Sequence, residues 1–361
     1  MTPPTLSLSL RTVPLLLAAL LASCGGGSED SGGASSNTPY QGTLLNGTNC
    51  TVRYYAQSQP SQRAGTDPLY LTQWYLKNTG RLTGYSGLAA GEDLQVENVW
   101  ASGLRGENIR VAVVDDALEV THQDLAPNVV EGASYNYVSD GSWQRGSPWP
   151  LPCTSSQTHG TAVGGVVAAR DGNGLGGRGV APRASLVGYN ALANDLDSEL
   201  LDALVRDQGK NHIYNNSWGA EDDGHFNTPA SRSAQVGTIL NGLRNGRNGL
   251  GSIYTFAGGN GGANGDYSVL DGNVSMLGAI PVCGTNAAGK RAPYSEPGPN
   301  LIVCAPSSDV GQAKGSSLPD VTTTTLQNQY TAKFNGTSAA TPMISGVIAL
   351  MLQANPNLTW R

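Results

Sequence analysis

The feature that most constrains this chain is an alternation of short apolar runs with segments of helical length. NIRVAVVD (108–115) reads as a buried strand ending at Asp115, and GTAVGGVVAAR (160–170) as a helix following His159. SLVGYNAL (185–192) is a strand, DSELLDALVRDQ (197–208) a helix, and HIYNNSW (212–218) another strand. SAQVGTILNGLRNG (233–246) is a helix, and SIYTFAGGN (252–260) a strand that ends in glycines. Such alternation predicts an α/β fold with one mostly parallel sheet and helices on both faces. In sheets of that kind the working residues gather at the carboxyl ends of the strands. Asp115, Ser217 and Asn260 fall there. No internal repeat interrupts the pattern.

Composition narrows the function classes. A chain of 361 residues can bury one large core or two smaller ones. Its 48 glycines and 13% charged residues suit tight turns and close packing of small residues. A net charge of −6 leaves no basic footprint, so no nucleic-acid partner is expected. The acidic excess would suit basic substrates, although placement matters more than the sum.

The first residues read as a targeting segment. Arg11 precedes the apolar run VPLLLAALLA, too short to span a bilayer, and Leu21-Ala22-Ser23-Cys24 follows. This end resembles the bacterial lipoprotein box, which implies a signal peptide over 1–23 and lipidation of Cys24; an ordinary signal peptide with an incidental cysteine is the alternative. Gly25 is not the aspartate that retains many such proteins at the inner membrane. The expectation is therefore an exported, lipid-anchored protein of the outer membrane or cell surface. Residues 24–65, rich in Gly, Ser, Asn, Thr and Gln, read as a flexible tether, with order beginning near Thr66. With Cys24 set aside, four cysteines remain for an oxidising compartment. Cys283 and Cys304 each end a short apolar run that could be neighbouring strands, so they are expected to pair. Cys50 with Cys153 follows by elimination.

The stretch NGTSAATPMISGVIALML (335–352) sets Ser338 at the mouth of an apolar helix. Glycine permits a tight backbone there, and Pro342 suits a first helical turn. The helix N-terminus stabilises negative charge beside the hydroxyl. This string resembles the nucleophile motif of the subtilisin-like serine proteases, and its SAATP ending resembles the kexin/furin branch. Asp115 at the end of VAVVDD and His159 in THGTAVGG complete the order Asp, His, Ser of that family. The resemblance covers roughly 66–361 and implies a subtilisin-like three-layer fold. It also implies an endopeptidase that takes peptide or protein substrates and works through an acyl-enzyme, and a monomer is expected. Asn260 in FAGGNGG resembles the side-chain oxyanion donor, and Ser217-Trp218-Gly219 the edge strand that pairs with an extended substrate.

Specificity and calcium are likewise implied by the resemblance. WGAEDDG (218–224) is similar to WGPEDDG of the kexin family, so Asp222 and Asp271 match carboxylates lining the primary pocket. Asp116 matches an acidic residue facing the next substrate side chain. Ala117, Ser156 and Thr228 depart from the multibasic pattern, which leaves a broad subtilisin preferring apolar residues as one alternative. Calcium is the implied cofactor. One site would use Asp67, Asp124 and Asn173 with carbonyls near Leu175 and Gly177; a second would use Asp222, Asp266 and Glu296. The segment after Cys24 is too short and polar for the folding propeptide such proteases carry, no β-sandwich P-domain is expected, and NPNLTWR looks like the start of a further helix. Those departures leave a catalytically silent, peptide-binding envelope lipoprotein as the non-enzyme alternative.

Overall fold

A computed structural model describes residues 43–56, 64–139, 145–194, 196–225, 232–309 and 317–361. The signal segment 1–23, Cys24 and Thr228 lie outside the described residues. The strands are β1 (Arg110–Val114), β2 (Ser185–Tyr189), β3 (Ile213–Asn216), β4 (Ile253–Ala257), β5 (Ala279–Thr285), β6 (Val303–Pro306), β7 (Val321–Thr324) and β8 (Tyr330–Phe334). The α-helices are α1 (Glu97–Ala101), α2 (His159–Ala168), α3 (Asp197–Ala203), α4 (Arg232–Asn245) and α5 (Thr337–Ala354).

Six strands form one parallel sheet in the order β2-β1-β3-β4-β5-β6. The chain runs outward from β1 to β2, then returns to the other side of β1 for β3. That reversal opens a crevice above the carboxyl ends of β1 and β3, where a doubly wound sheet presents a site. Asp115 follows β1 directly, and Ser217 follows β3.

Alternate side chains of β1 feed two separate cores. Val111 and Val113 pack with Val163, Val166 and Val167 of α2 and Met343 and Ile344 of α5. Ala112 and Val114 face Leu204, Ile239, Leu243, Tyr214 and Tyr254 on the α3 and α4 side. The period of two in a strand thus produces three layers. Each fully buried valine contributes about 1.5–3 kcal/mol. The fold is the subtilisin-like α/β arrangement. Helix α5 is long and apolar enough to cross a membrane, yet 67% of it is buried inside this fold, as a core helix should be.

Three local expectations differ from the structure. Packed structure begins before Thr66: Leu45, Val52 and Tyr54 are buried in the α2–α5 core, and Asn46 Nδ2 donates to the carbonyls of Val52 (2.7 Å) and Pro152 (3.1 Å). These few apolar residues carry no periodicity of their own. Their tertiary partners are distant in sequence, Glu119 for Tyr54 and Pro152 for Asn46, and the Cys50–Cys153 disulfide fixes them there. Helix α3 ends at Ala203 and not at Gln208, the chain turning through Asp207 at φ +54°. Pro342 stands sixth in α5, one turn later than expected. It therefore offers no N–H to the Ser338 carbonyl, while Thr341 Oγ1 donates to the Thr337 carbonyl at 2.8 Å. Cys283 and Cys304 sit opposite one another in β5 and β6 and are bonded.

Candidate active site

Asp115 is buried at the end of β1, and its Oδ1 lies 2.8 Å from His159 Nδ1. His159 is the first residue of α2, so the helix start aims the imidazole at the crevice. The approach depends on Gly160, where a Cβ would stand 2.0 Å from the Ala117 carbonyl and 2.8 Å from Asp115 Cβ. Strands β7 and β8 form an antiparallel ribbon on the same helix: Thr323 and Thr324 donate their hydroxyls to the carbonyls of Ala162 and Thr161. The ribbon ends at Phe334, whose ring meets His159 edge-on at 5.5 Å. Three residues later the chain enters α5.

Ser338 is the second residue of α5, half-buried, with Oγ donating to the Ser217 carbonyl at 2.9 Å. Passing its proton to His159 requires that hydroxyl to rotate, a tightening that substrate commonly brings. His159, Asn260, Tyr294, Phe334 and Ser338 line one open cavity of about 410 Å³. Asn260 Oδ1 accepts from Thr337 N (2.8 Å) and Thr337 Oγ1 (3.0 Å). Because the oxygen end of the amide is thus fixed, the Nδ2 end is the one available to the cavity. Gly336 makes the turn at φ +77°, where a Cβ would come within 3.3 Å of Asn260 Oδ1.

Burial works against a charged His159, but the charge and hydrogen bond of Asp115, with the charge of Asp116, outweigh it and push the imidazolium up to about 9. Asp116 itself is pushed up to about 7 by burial and by Asp115. Its expected place facing substrate is not what its contacts serve. Asp116 Oδ1 accepts from Gly160 N at 2.9 Å and Oδ2 from His159 N at 3.3 Å. The free N–H groups at the start of α2 draw the carboxylate inward.

Beyond the crevice the expected pocket residues come together. Gly219 is exposed just beyond β3, and Trp218 Nε1 donates to the Val114 carbonyl at 2.9 Å. Asp271 Oδ2 accepts from Ala220 N (3.1 Å) and Oδ1 from Asn273 N (2.7 Å), while burial pushes its carboxyl up. Asp222, Asp266, Asp271 and Glu296 line a single cavity of about 10 Å³, room for one water-sized particle. Asp222 Oδ1 accepts from Asn260 N at 2.8 Å, and Glu296 Oε1 from Gly261 N at 3.0 Å. Burial, with the nearby charges of Asp266 and Asp222, pushes Glu296 up to about 8. Carboxylates gathered at one small cavity are the donor type that a hard divalent cation takes, although among the described residues no three acidic, histidine or cysteine side chains are arranged to hold one.

The other expected ligand set is also brought together, with most of its side-chain oxygens engaged by donors of the chain. Asp67 Oδ2 is 2.6 Å from Arg178 Nη2, and Asp67 Oδ1 accepts from Gly172 N at 2.8 Å. Asn173 Nδ2 donates to Asp124 Oδ1 at 2.7 Å. Asp124 Oδ2 is buried without a hydrogen-bond partner. Sequence reasoning also missed a buried polar chain beneath the nucleophile: Ser345 Oγ donates to Asn215 Oδ1 (2.8 Å), meets Thr255 Oγ1 (2.7 Å), and Asn215 Nδ2 donates to Ser217 Oγ (2.9 Å). Polar residues inside otherwise apolar strands and helices were its signal.

A parallel sheet carrying an aspartate, a histidine and a serine on one crevice is the arrangement of the serine-peptidase class of α/β proteins. More particularly, the chain belongs to the subtilase family (Peptidase_S8), whose model matches residues 106–361. Neuroendocrine convertase 2 of Caenorhabditis elegans is 38% identical over 304 residues, covering 82% of this chain and 44% of the relative. The Dibasic-processing endoprotease of Schizosaccharomyces pombe is 38% identical over 299 residues, covering 82% and 39%. The chain thus spans less than half the length of these relatives. The solved serine protease of Aeromonas sobria, in complex with a chaperone, is similar at a TM-score of 0.70 and 29% identity, over 82% of this chain and 55% of that one.

Proposed function

We propose that this subtilase is a calcium-dependent endopeptidase that cleaves after basic residues, exported and held to the cell envelope through a lipidated Cys24. The observation that carries the specificity is the carboxylate cluster of Asp222, Asp266, Asp271 and Glu296 immediately beyond the Ser217–Gly219 stretch. A basic side chain laid at the mouth of that cluster would meet charge-assisted acceptors in Asp222 and Asp271, the cavity itself having room only for a water-sized particle or an ion. The export and anchoring rest on the residues around Cys24 alone.

In this mechanism an extended substrate lies along Ser217–Gly219. Ser338 Oγ attacks the scissile carbonyl, His159 takes the proton, and Asp115 holds the imidazole in the right tautomer. Asn260 Nδ2 and the Ser338 N–H donate to the oxyanion, and His159 then protonates the leaving amine. Water, activated by the same imidazole, hydrolyses the acyl-enzyme. Calcium, when bound by Asp222, Asp266 and Glu296, supplies the positive charge that offsets their mutual repulsion.

A second reading, a broad subtilisin preferring apolar residues, is favoured by one observation: both oxygens of Asp271 already accept backbone N–H groups. Paired Arg-ended and Leu-ended chromogenic peptides separate the two. Asp271→Ala should reduce the preference for Arg over Leu about tenfold or more, and an unchanged preference favours the broad enzyme. Ser338→Ala should lower turnover about a millionfold; equal activity in that variant would remove the serine mechanism.

A further inference from the structure

We propose that in the Asp67–Asp124 corner the guanidinium of Arg178 is the resident cation, and that calcium does not bind there. Three side chains of that corner are buried and most of their oxygens are directed at donors of this chain, Asp124 Oδ2 being without a hydrogen-bond partner. Asp67 gives Oδ2 to Arg178 Nη2 at 2.6 Å and Oδ1 to Gly172 N at 2.8 Å. Asn173 Oδ1 accepts from Leu175 N at 3.0 Å, which turns its Nδ2 end toward Asp124 Oδ1 at 2.7 Å. A ligand amide would present the opposite end to a cation. The nearby Gly176 carbonyl accepts from Leu69 N at 2.7 Å. Calcium needs six to eight oxygens, and this corner has spent most of those within reach.

The arginine is built in. Its backbone is clamped on both sides by Gln73: Arg178 N donates to Gln73 Oε1 at 2.8 Å, and Gln73 Nε2 to the Arg178 carbonyl at 2.8 Å. Its guanidinium carbon lies 4.2 Å from the centre of the Tyr70 ring and 5.6 Å from that of Trp100. Tyr70 in turn donates its hydroxyl to Glu97 at 2.6 Å. A planar cation stacked on aromatic faces and paired with a carboxylate is an arrangement that suits arginine. The consequence is a permanent clasp between the 65–78 segment and the 171–178 loop, independent of free calcium.

The test is the number of calcium ions retained per full-length chain, measured by atomic emission after desalting. Asp124→Asn should leave that number unchanged in the otherwise native protein. Arg178→Leu should raise it by one, and Asp124→Asn placed on top of Arg178→Leu should remove the added ion. A native chain that loses one ion on Asp124→Asn overturns the proposal, as does a folded Arg178→Leu protein that gains none. Where Arg178→Leu fails to fold, the Asp124→Asn count in the native background decides alone. Glu296→Gln reports on the other cluster by itself, so this proposal and the calcium dependence proposed above fail separately.

Discussion

At the scale of single residues, the site turns on two side chains whose orientation is fixed by main-chain donors. Asn260 is held by Thr337 at its oxygen end, which commits its N–H to the cavity. Its bond to substrate would form mainly as the carbonyl oxygen gains charge. Asn260→Ala should therefore cost about 10²–10³ in kcat with little change in KM. A pure rise in KM in steady-state assays would show a turn residue and nothing more. Asp116 caps α2 and adds its charge to the field that raises His159 to about 9. The base must be neutral to accept the serine proton, so activity rises as pH passes upward through that value. Asp116→Asn weakens the field, lowers the histidine pKa, and should shift the acid limb of kcat/KM to lower pH. A limb that stays put, read from a pH profile, would mean that Asp116 acts on substrate instead. The sequence made both residues visible as candidates. It could not show which way Asp116 points, because the deciding N–H groups belong to a helix more than forty positions away.

At the scale of elements, most of the architecture was legible. A buried strand is a short apolar run and a helix a longer one, and both are local patterns. What escaped was set by distant contacts: the seating of 43–56, held by Cys153 and by Tyr54 against Glu119, and the arginine beside Asp67. Close approach of α2 to β1 was half legible, since THGTAVGG advertises small residues without saying where they are needed. Gly160 answers that. A methyl group there would overlap the Ala117 carbonyl, so Gly160→Ala must push the helix start away from Asp115. Thermal or denaturant melts should show a loss of about 1–3 kcal/mol, accompanied by a fall in kcat larger than stability alone explains. Gly209, with nothing within 4 Å of an added Cβ, is the control position that should tolerate the same change.

At the scale of the whole molecule, charge in the acidic cavity couples stability to pH and, under the proposed calcium site, to the ion. Glu296 sits at about 8 in the folded chain, well above its ordinary value. Between those two values the folded state binds more protons than the unfolded one, so stability falls as pH rises. In chelator, Tm should therefore decline from about pH 5 to pH 8, and Glu296→Gln should flatten that decline. Calcium binding to the folded state alone would restore Tm by mass action and lift activity on Arg-ended peptides with it. A Tm indifferent to both chelator and pH, followed by calorimetry, would sink the link between the cluster and the ion. The placement of Ser338 at the head of α5 has a consequence in time. As the chain is made, Asp115 and His159 emerge long before the helix that carries the nucleophile, and that helix can dock only once strands β3 to β6 exist to receive it. On the proposed mechanism the chain is born unarmed, and completing the sheet is what arms it.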